Sequence, residues 1–340
     1  MDYRNLGSTG VKVSEFCLGA MMFGAWGNTD HDDSIRIIHA ALDAGINFID
    51  TADVYGEGES EEILAKALVG RRDDVVLATK CHLPMGKDPN MQGSSRRWVT
   101  RAVDDSLRRL QTDYIDLFQI HRLQPGCAHD ETLGALTDLV RAGKIRYIGS
   151  STYPPSAIVE AQWVAERRNR ERFVCEQPPY SILYRGIEID MLPTAQRYDM
   201  GVICWGPLGG GWLSGRWRKG TTEMESSRAN RIPGRYDLSR PDNQRKLDVV
   251  EQLALLAEEL DISLIHLSLA FVLQHPGVTS AILGPRTMEH LTSQIGAAEV
   301  KLDGEVLDRI DKIVPPGSNV VFSDSGYAAP TLLNKRLRRR

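Results

Sequence analysis

The chain has 340 residues, of which 42% are hydrophobic and 25% are charged, and its formal net charge is −4. This is an ordinary globular composition with enough material for a large buried core. A pI of about 6.1 gives no global basic field to attract nucleic acid or an anionic membrane. Small-molecule chemistry is therefore the favoured class of function.

The cysteines and the lack of long apolar runs indicate the cellular compartment in which the protein is expected. The five cysteines are scattered and form no CxxC pair, which predicts free thiols in a reducing cytosol. The first twenty residues lack the apolar core of a signal peptide, and no apolar run approaches the roughly 18 residues that span a bilayer. We expect a soluble, cytoplasmic protein.

Short apolar segments, typical of strands, alternate with longer amphipathic segments along the whole chain. The predicted strands, in chain order, are FCLGA (16–20), INFIDTA (46–52), VVLATK (75–80), YIDLFQIH (114–121), IRYIGSST (145–152), FVCEQ (173–177), GVICWG (201–206) and SAILG (280–284). The first predicted helix, 32–45, places Ile35, Ile38 and Ala41 on one face and ends at Gly45. Further helices are predicted near residues 60–69, 97–110, 130–142, 155–168, 187–198 and 287–299.

Eight strands with intervening helices favour a (β/α)8 TIM barrel over a doubly wound sheet, which usually has five or six strands. Residues 3–16 are predicted to form an N-terminal β-hairpin ahead of the barrel. We expect a single domain over 1–340, with extra loops and helices, the hairpin within 1–15 and a C-terminal tail from about 314 to 340. Residues 206–243 are typical of a functional or mobile loop, and the basic residues 334–340 of a solvated tail.

Four polar side chains lie at or just beyond the ends of predicted strands: Asp50, Tyr55, Lys80 and His121. The carboxyl ends of the strands carry the chemistry in barrels of this type, because the loops there converge on one face. Each residue has an ordinary alternative: a turn or helix cap, a packed aromatic, a surface lysine and a loop histidine. Their shared location favours a site.

The four residue types suit acid catalysis by a phenol. A tyrosine has a pKa near 10, and the charge of Lys80 would lower it by stabilising the phenolate. Asp50 would serve as the counter-ion of Lys80, and a neutral His121 would orient a carbonyl oxygen beside Tyr55. No nucleophile motif is present, so a hydride is the expected attacking species. No GxGxxG follows a strand, so a nicotinamide would bind by another route than a Rossmann crevice.

These segments resemble the aldo-keto reductase family over about residues 3–313. The resemblance rests on GINFIDTADVYGEGESEEILAKAL, VVLATK, YIDLFQIH, GKIRYIGSS, WGPLGGGWLSGRW and ILGPRTMEHLTSQIGAAEV, in that order. It implies that Asp50, Tyr55, Lys80 and His121 form a catalytic tetrad, with Tyr55 as the general acid in reduction. It also implies an NADP(H) cofactor.

The resemblance places the cofactor contacts at Ser151, Thr152, Gln177, Trp205, Leu208, Gly209, Arg216, Gly284, Arg286, His290 and Gln294. Ser151 and Gln177 would bind the nicotinamide carboxamide, and Trp205, where tyrosine is usual, would stack on the ring. Thr152 stands where asparagine is common. Glycines 209–211 and Arg216 would approach the pyrophosphate, and Arg286 would bind a 2'-phosphate, which favours NADP over NAD.

The expected function is NADPH-dependent reduction of an aldehyde or ketone, with pocket walls from Met21, Phe23, Trp26, Trp98 and Tyr184 and a cover from Phe322 and Tyr327. A second hypothesis is a nucleotide-binding regulatory subunit resembling the potassium-channel beta subunits. A third is an isomerase or aldolase in which Lys80 forms a Schiff base, although Asp50 would keep that amine protonated. The substrate, the physiological direction and the oligomeric state stay open.

Overall fold

The computed structural model describes residues 1–220, 232–327, 332 and 334–338. Within them, eight parallel strands close into a barrel, and two further strands pair as an antiparallel hairpin before it. The hairpin strands are β1 (Tyr3–Asn5) and β2 (Lys12–Ser14). The barrel strands are β3 (Phe16–Gly19), β4 (Phe48–Asp50), β5 (Val76–Cys81), β6 (Ile115–Ile120), β7 (Ile145–Ser151), β8 (Cys175–Gln177), β9 (Gly201–Cys204) and β10 (Ser280–Leu283). The predicted TIM barrel with an N-terminal hairpin is confirmed.

Helices follow the strands and cover the barrel. They are α1 (His31–Asp43), α2 (Glu59–Ala67), α3 (Arg96–Leu110), α4 (His129–Arg141), α5 (Pro155–Arg168), α6 (Met191–Arg197), α7 (Pro241–Glu259), α8 (Leu264–Gln274), α9 (Met288–Ile295), α10 (Gly304–Ile313) and α11 (Lys335–Arg338). Side-chain caps begin several of them: Asp30 accepts from the backbone N–H of Asp33, and Thr287 accepts from that of His290. None of the helices in the described part of the chain is long and apolar enough to cross a membrane.

Helices α7, α8, α10 and α11 were not predicted. The expected loop over 206–243 overlaps the start of α7, because Pro241 takes the first helical position, where a missing N–H costs nothing. Residues 221–231 of that loop lie outside the described residues. The predicted helix over 287–299 ends at Ile295 and continues as a 3-10 turn, Gly296–Glu299.

The hairpin closes the amino-terminal end of the barrel. Leu6 and Val13 are fully buried and pack with residues from inside the barrel. Gly7 has a positive φ of 55°, and a Cβ there would lie 2.6 Å from the carbonyl oxygen of Asp199. Only glycine suits this close approach, so the local sequence fits the hairpin to the barrel floor.

The barrel interior changes from apolar to polar along the strands with a period of two residues. Phe48, Ala78, Leu117 and Cys175 belong to one buried apolar cluster within the barrel. Two residues further along the same strands are Asp50, Lys80, Gln119 and Gln177. Because side chains alternate across a strand, this polar layer lies inside the barrel, directly above the apolar one. The strand ends thus place the candidate site.

Candidate active site

The centre of the polar layer is a buried ion pair. Lys80 Nζ lies 2.6 Å from Asp50 Oδ2, and both side chains are almost wholly buried. The ammonium also donates to the backbone carbonyl of Thr51 at 2.7 Å and lies 3.5 Å from the Tyr55 hydroxyl. Three of the four residues predicted to act together are therefore in direct contact.

Tyr55 reaches this pair from the loop between β4 and α2. It begins a 3-10 turn, Tyr55–Gly58, in which Gly56 and Glu57 have positive φ values of 60° and 56°. The turn reverses the chain immediately after the strand and directs the phenol back over the barrel. Its ring centroid lies 5.9 Å from that of His121, edge to face, which completes the predicted tetrad, and 5.7 Å from Trp26.

Burial and charge compete at these groups. Burial pulls the pKa of Lys80 down, but Asp50 and Tyr55 together outweigh it, so the pKa lies above its usual value. Burial raises the pKa of Tyr55 more than Lys80 lowers it. The expected net lowering of the Tyr55 pKa is thus wrong: Lys80 acts in the predicted direction, but desolvation of the phenolate is the larger effect.

His121 is neutral, as expected. Burial lowers its pKa well below the usual value, and the charges of Lys80 and Arg122 act in the same direction. Its Nδ1 is buried without a hydrogen-bond partner among the described residues. A neutral imidazole beside a phenol can orient a carbonyl oxygen without competing as an acid.

The second carboxylate oxygen of Asp50 has two partners of its own. Gln177 Nε2 donates to Asp50 Oδ1 at 2.8 Å, and Gln119 Nε2 donates to it at 3.1 Å. Gln177 was predicted to bind a cofactor and does line the cavity, but Gln119 was missed. Gln119 could have been found from its position. It lies two residues after the apolar Leu117 on β6 and pairs with Lys80 on the neighbouring strand β5.

Arg122 is a second residue that sequence reasoning missed, although it directly follows His121. Its Nη1 donates to the His121 carbonyl at 2.7 Å, to Thr152 Oγ1 at 3.0 Å and to Ser151 Oγ at 3.4 Å. Arg122 lines the cavity beside Tyr55. A second cation therefore lies near the phenol.

Thr152 has a different place from the one expected. Its backbone has a positive φ of 55°, a conformation that asparagine tolerates better than a β-branched residue. Its Oγ1 accepts from Trp205 Nε1 at 3.3 Å and from Arg122, and the residue is not among those that line the cavity. Thr152 thus orients the indole and the guanidinium, while Ser151 and Trp205 themselves face the cavity.

Asp53, which lies between β4 and Tyr55, is not among the residues that line the cavity. Its side chain is fully buried, and neither carboxylate oxygen has a hydrogen-bond partner among the described residues. Burial and the neighbouring Glu61 raise its pKa well above the usual value. Its backbone N–H donates to the Lys80 carbonyl, which ties the loop to β5.

A cavity of about 720 Å³ extends from the tetrad across the carboxyl end of the barrel. It contains every predicted cofactor residue except Thr152, namely Ser151, Gln177, Trp205, Leu208, Gly209, Arg216, Gly284, Arg286, His290 and Gln294. A Cβ added at Gly211 or Gly284 would meet nothing within 4 Å, so both backbone segments border open space in the groove. The strands thus bring all these segments to one mouth.

The far end of the cavity concentrates positive charge. Arg216 Nη2 lies 2.9 Å from His290 Nε2, and the backbone N–H of Arg286 lies 3.4 Å from His290 Nδ1. Burial, Arg216 and Arg286 all lower the pKa of His290. A neutral imidazole can accept a hydrogen bond at only one nitrogen, so it cannot satisfy both Arg216 and the Arg286 N–H. The remaining donors suit an anion.

The predicted walls are partly correct. Met21, Trp26 and Tyr184 line the cavity, but Phe23 and Trp98 are buried in the hydrophobic core. Trp98 lies on the core face of α3, where a helical period of 3.6 directs it away from the mouth.

The C-terminal segment does reach the cavity, but not through Phe322 and Tyr327, the residues predicted to cover it. Phe322 is 59% exposed, and Tyr327 is not among the cavity-lining residues. Instead Asp324 lines the cavity and forms ion pairs with Arg235 (2.9 Å) and Lys246 (2.6 Å). Further on, residues 334–337 are exposed, as expected for a solvated tail, and residues 328–331, 333, 339 and 340 lie outside the described residues.

The chain matches the Aldo/keto reductase family over residues 15–315. It belongs to that family. A relative from Bacillus subtilis, named uncharacterized oxidoreductase YrpG, is 40% identical over 331 residues, covering 93% of this chain and 97% of the relative. Aldo-keto reductase YhdN of the same organism is 36% identical over 291 residues, or 84% and 85% of the two chains.

Other relatives bear a different kind of name. A putative voltage-gated potassium channel subunit beta from Schizosaccharomyces pombe is 34% identical over 323 residues, covering 92% of this chain and 93% of the relative. The family and the relatives named as enzymes support an oxidoreductase.

Proposed function

We propose that this aldo-keto reductase uses NADPH to reduce an aldehyde or ketone to an alcohol, with its 340 residues acting as one domain. The observation that carries the proposal is the Tyr55 hydroxyl 3.5 Å from Lys80 Nζ, in the cavity that Arg286 also lines. A proton donor and a cationic anchor for a phosphate thus share one continuous groove.

The groove suits a dinucleotide. The open backbone at Gly211 and Gly284 allows close approach of a pyrophosphate and ribose, and Ser151 and Gln177 offer polar groups for a carboxamide. Arg216, Arg286 and His290 present donors to a 2'-phosphate, which NADPH has and NADH lacks. The indole of Trp205 supplies an aromatic face for the nicotinamide.

Bound NADPH would supply the hydride for the carbonyl carbon. Tyr55 donates its proton to the carbonyl oxygen, and the Lys80 ammonium stabilises the phenolate that results. Asp50 holds Lys80 in its charged form, while Gln119 and Gln177 fix Asp50. His121 is kept neutral and orients the carbonyl oxygen.

The second candidate function is a regulatory subunit that binds the nucleotide with little turnover. The similarity to relatives named as potassium channel beta subunits favours it. The Schiff-base alternative is disfavoured, because the raised pKa of Lys80 keeps its amine protonated and poorly nucleophilic.

The deciding experiment mixes the purified protein with NADPH and a panel of aldehydes and ketones and follows loss of the reduced cofactor. We expect carbonyl-dependent oxidation that is strongly reduced in Tyr55→Phe. Tight NADPH binding without carbonyl-dependent oxidation, for any member of the panel, would favour the regulatory function.

A further inference from the structure

The substrate end of the cavity contains a cation that lacks a counter-ion among the described residues. Arg122 is partly buried, and its Nη1 donates to three neutral oxygens, of His121, Ser151 and Thr152. Its Nε and Nη2 have no hydrogen-bond partner among the described residues. Burial lowers the pKa of Arg122, because its charge is partly removed from water.

The nearby carboxylates do not balance this charge. Asp50 is fully engaged by Lys80, Gln119 and Gln177. Glu176 is the middle residue of β8, and its side chain lies on the opposite face of the strand from Gln177. Its carboxylate accepts from Ser150 Oγ at 2.5 Å and from the Tyr153 backbone N–H at 3.0 Å.

Ionisation of the neighbouring groups supplies only a partial counter-charge, from Glu176, whose charge raises the pKa of Arg122 less than burial lowers it. Burial raises the pKa of Glu176 to about 7, so that carboxyl is only partly ionised at neutral pH. Burial and Arg122 lower the pKa of His82 to about 4, and His121 is neutral for the same reasons. Since Asp50 and Lys80 cancel one another, the Arg122 charge dominates this end of the cavity.

On the basis of the proposed carbonyl reduction, we propose that Arg122 determines specificity and that the substrate is an apolar carbonyl compound bearing a carboxylate. A planar guanidinium binds a carboxylate through paired hydrogen bonds, and such contacts gain strength where water is partly excluded. The surrounding walls are apolar, with Met21, Trp26, Val54 and Leu83 lining the cavity. This combination suits an oxo acid or aldehyde acid with an aromatic or branched body.

Arg122 also has a positional role that the test must separate. Through Nη1 it holds Thr152, whose Oγ1 orients Trp205. Loss of that support would lower turnover of every substrate alike. Loss of a carboxylate contact would lower turnover only of substrates that carry a carboxylate.

The test compares kcat/KM for the three carboxybenzaldehyde isomers with that for their methyl esters, which differ only in the charged group. We expect the wild-type protein to prefer at least one acid over its ester. Arg122→Met should reduce that acid-to-ester ratio by about 10- to 100-fold, the effect of losing a charge-assisted hydrogen bond. Arg122→Lys should retain part of the ratio, and Arg101→Met, on the outer surface of α3, should leave it unchanged.

A binding measurement makes the result independent of turnover. Calorimetry with benzoate and with methyl benzoate should show Arg122-dependent binding of the anion only. If no aldehyde is reduced but benzoate binding still requires Arg122, the anion site stands and the proposed reductase function fails. An equal loss of acid and ester turnover in Arg122→Met, with benzoate binding unchanged, would overturn the inference.

Discussion

The ion pair between Lys80 and Asp50 offers the sharpest test of the site, because removing one partner leaves the other charge buried and unpaired. Lys80→Met keeps the aliphatic chain but removes the ammonium that lies 2.6 Å from Asp50. Breaking a buried ion pair in this way costs about 3–5 kcal/mol of unfolding free energy. Two glutamine donors remain on the carboxylate, which favours the lower part of that range.

The expected shift in Tm follows from chain length. An unfolding entropy of about 2.1 cal/mol/K per residue gives about 0.7 kcal/mol/K for this chain, so Lys80→Met should lower Tm by about 4–7 °C. Scanning calorimetry at a fixed scan rate measures the shift. The double variant Lys80→Met/Asp50→Asn, which removes both charges, should recover a large part of it. A single variant as stable as the wild type would refute the buried pair.

Three further predictions concern catalysis and cofactor binding. Tyr55→Phe should lower kcat by about 10²- to 10⁴-fold, while NADPH affinity, measured by fluorescence titration, should change little. Arg286→Ala should weaken NADPH binding by about 10-fold or more and NADH binding much less, because only NADPH carries the 2'-phosphate. The NADPH preference over NADH should grow as the pH falls from about 8 to about 6.5, because a bound phosphate raises the lowered pKa of His290 and binding then takes up a proton.

Matched controls make these outcomes decisive. Among the described residues, the Tyr55 hydroxyl makes one long hydrogen bond, at 3.5 Å to Lys80, so the Phe variant should keep its Tm. Full turnover in a stable variant would remove Tyr55 from its role. The control for Arg286→Ala is Arg240→Ala, which removes a surface charge elsewhere. Its NADPH and NADH affinities are measured in the same titrations. His290→Gln should abolish the pH effect. A preference that stays constant with pH in the wild type would remove His290 from the phosphate site.

Much of the fold could be predicted because it rests on local patterns. All eight barrel strands were predicted within a few residues of their observed bounds, since each is a short apolar run. The meeting of Asp50, Tyr55, Lys80 and His121 could also be predicted, because residues at the ends of parallel strands must meet at one face. Helix α7 was missed because the preceding glycine-rich stretch led to the expectation of a loop up to residue 243.

The sequence by itself determined which side chains could meet. The order of the strands, and the polar residues at or just beyond the ends of several of them, are local properties of the chain. Only the tertiary structure decided how these groups affect one another. The net shift in the Tyr55 pKa, for instance, is a balance between burial and the charges of Lys80, Asp50 and Arg122. Phe23 and Trp98 lie in the core, and Arg122 lies beside Tyr55 without an ion-pair partner among the described residues. Residues that are distant in sequence create these surroundings. Desolvation and pairing depend on that three-dimensional surrounding, which no local pattern contains.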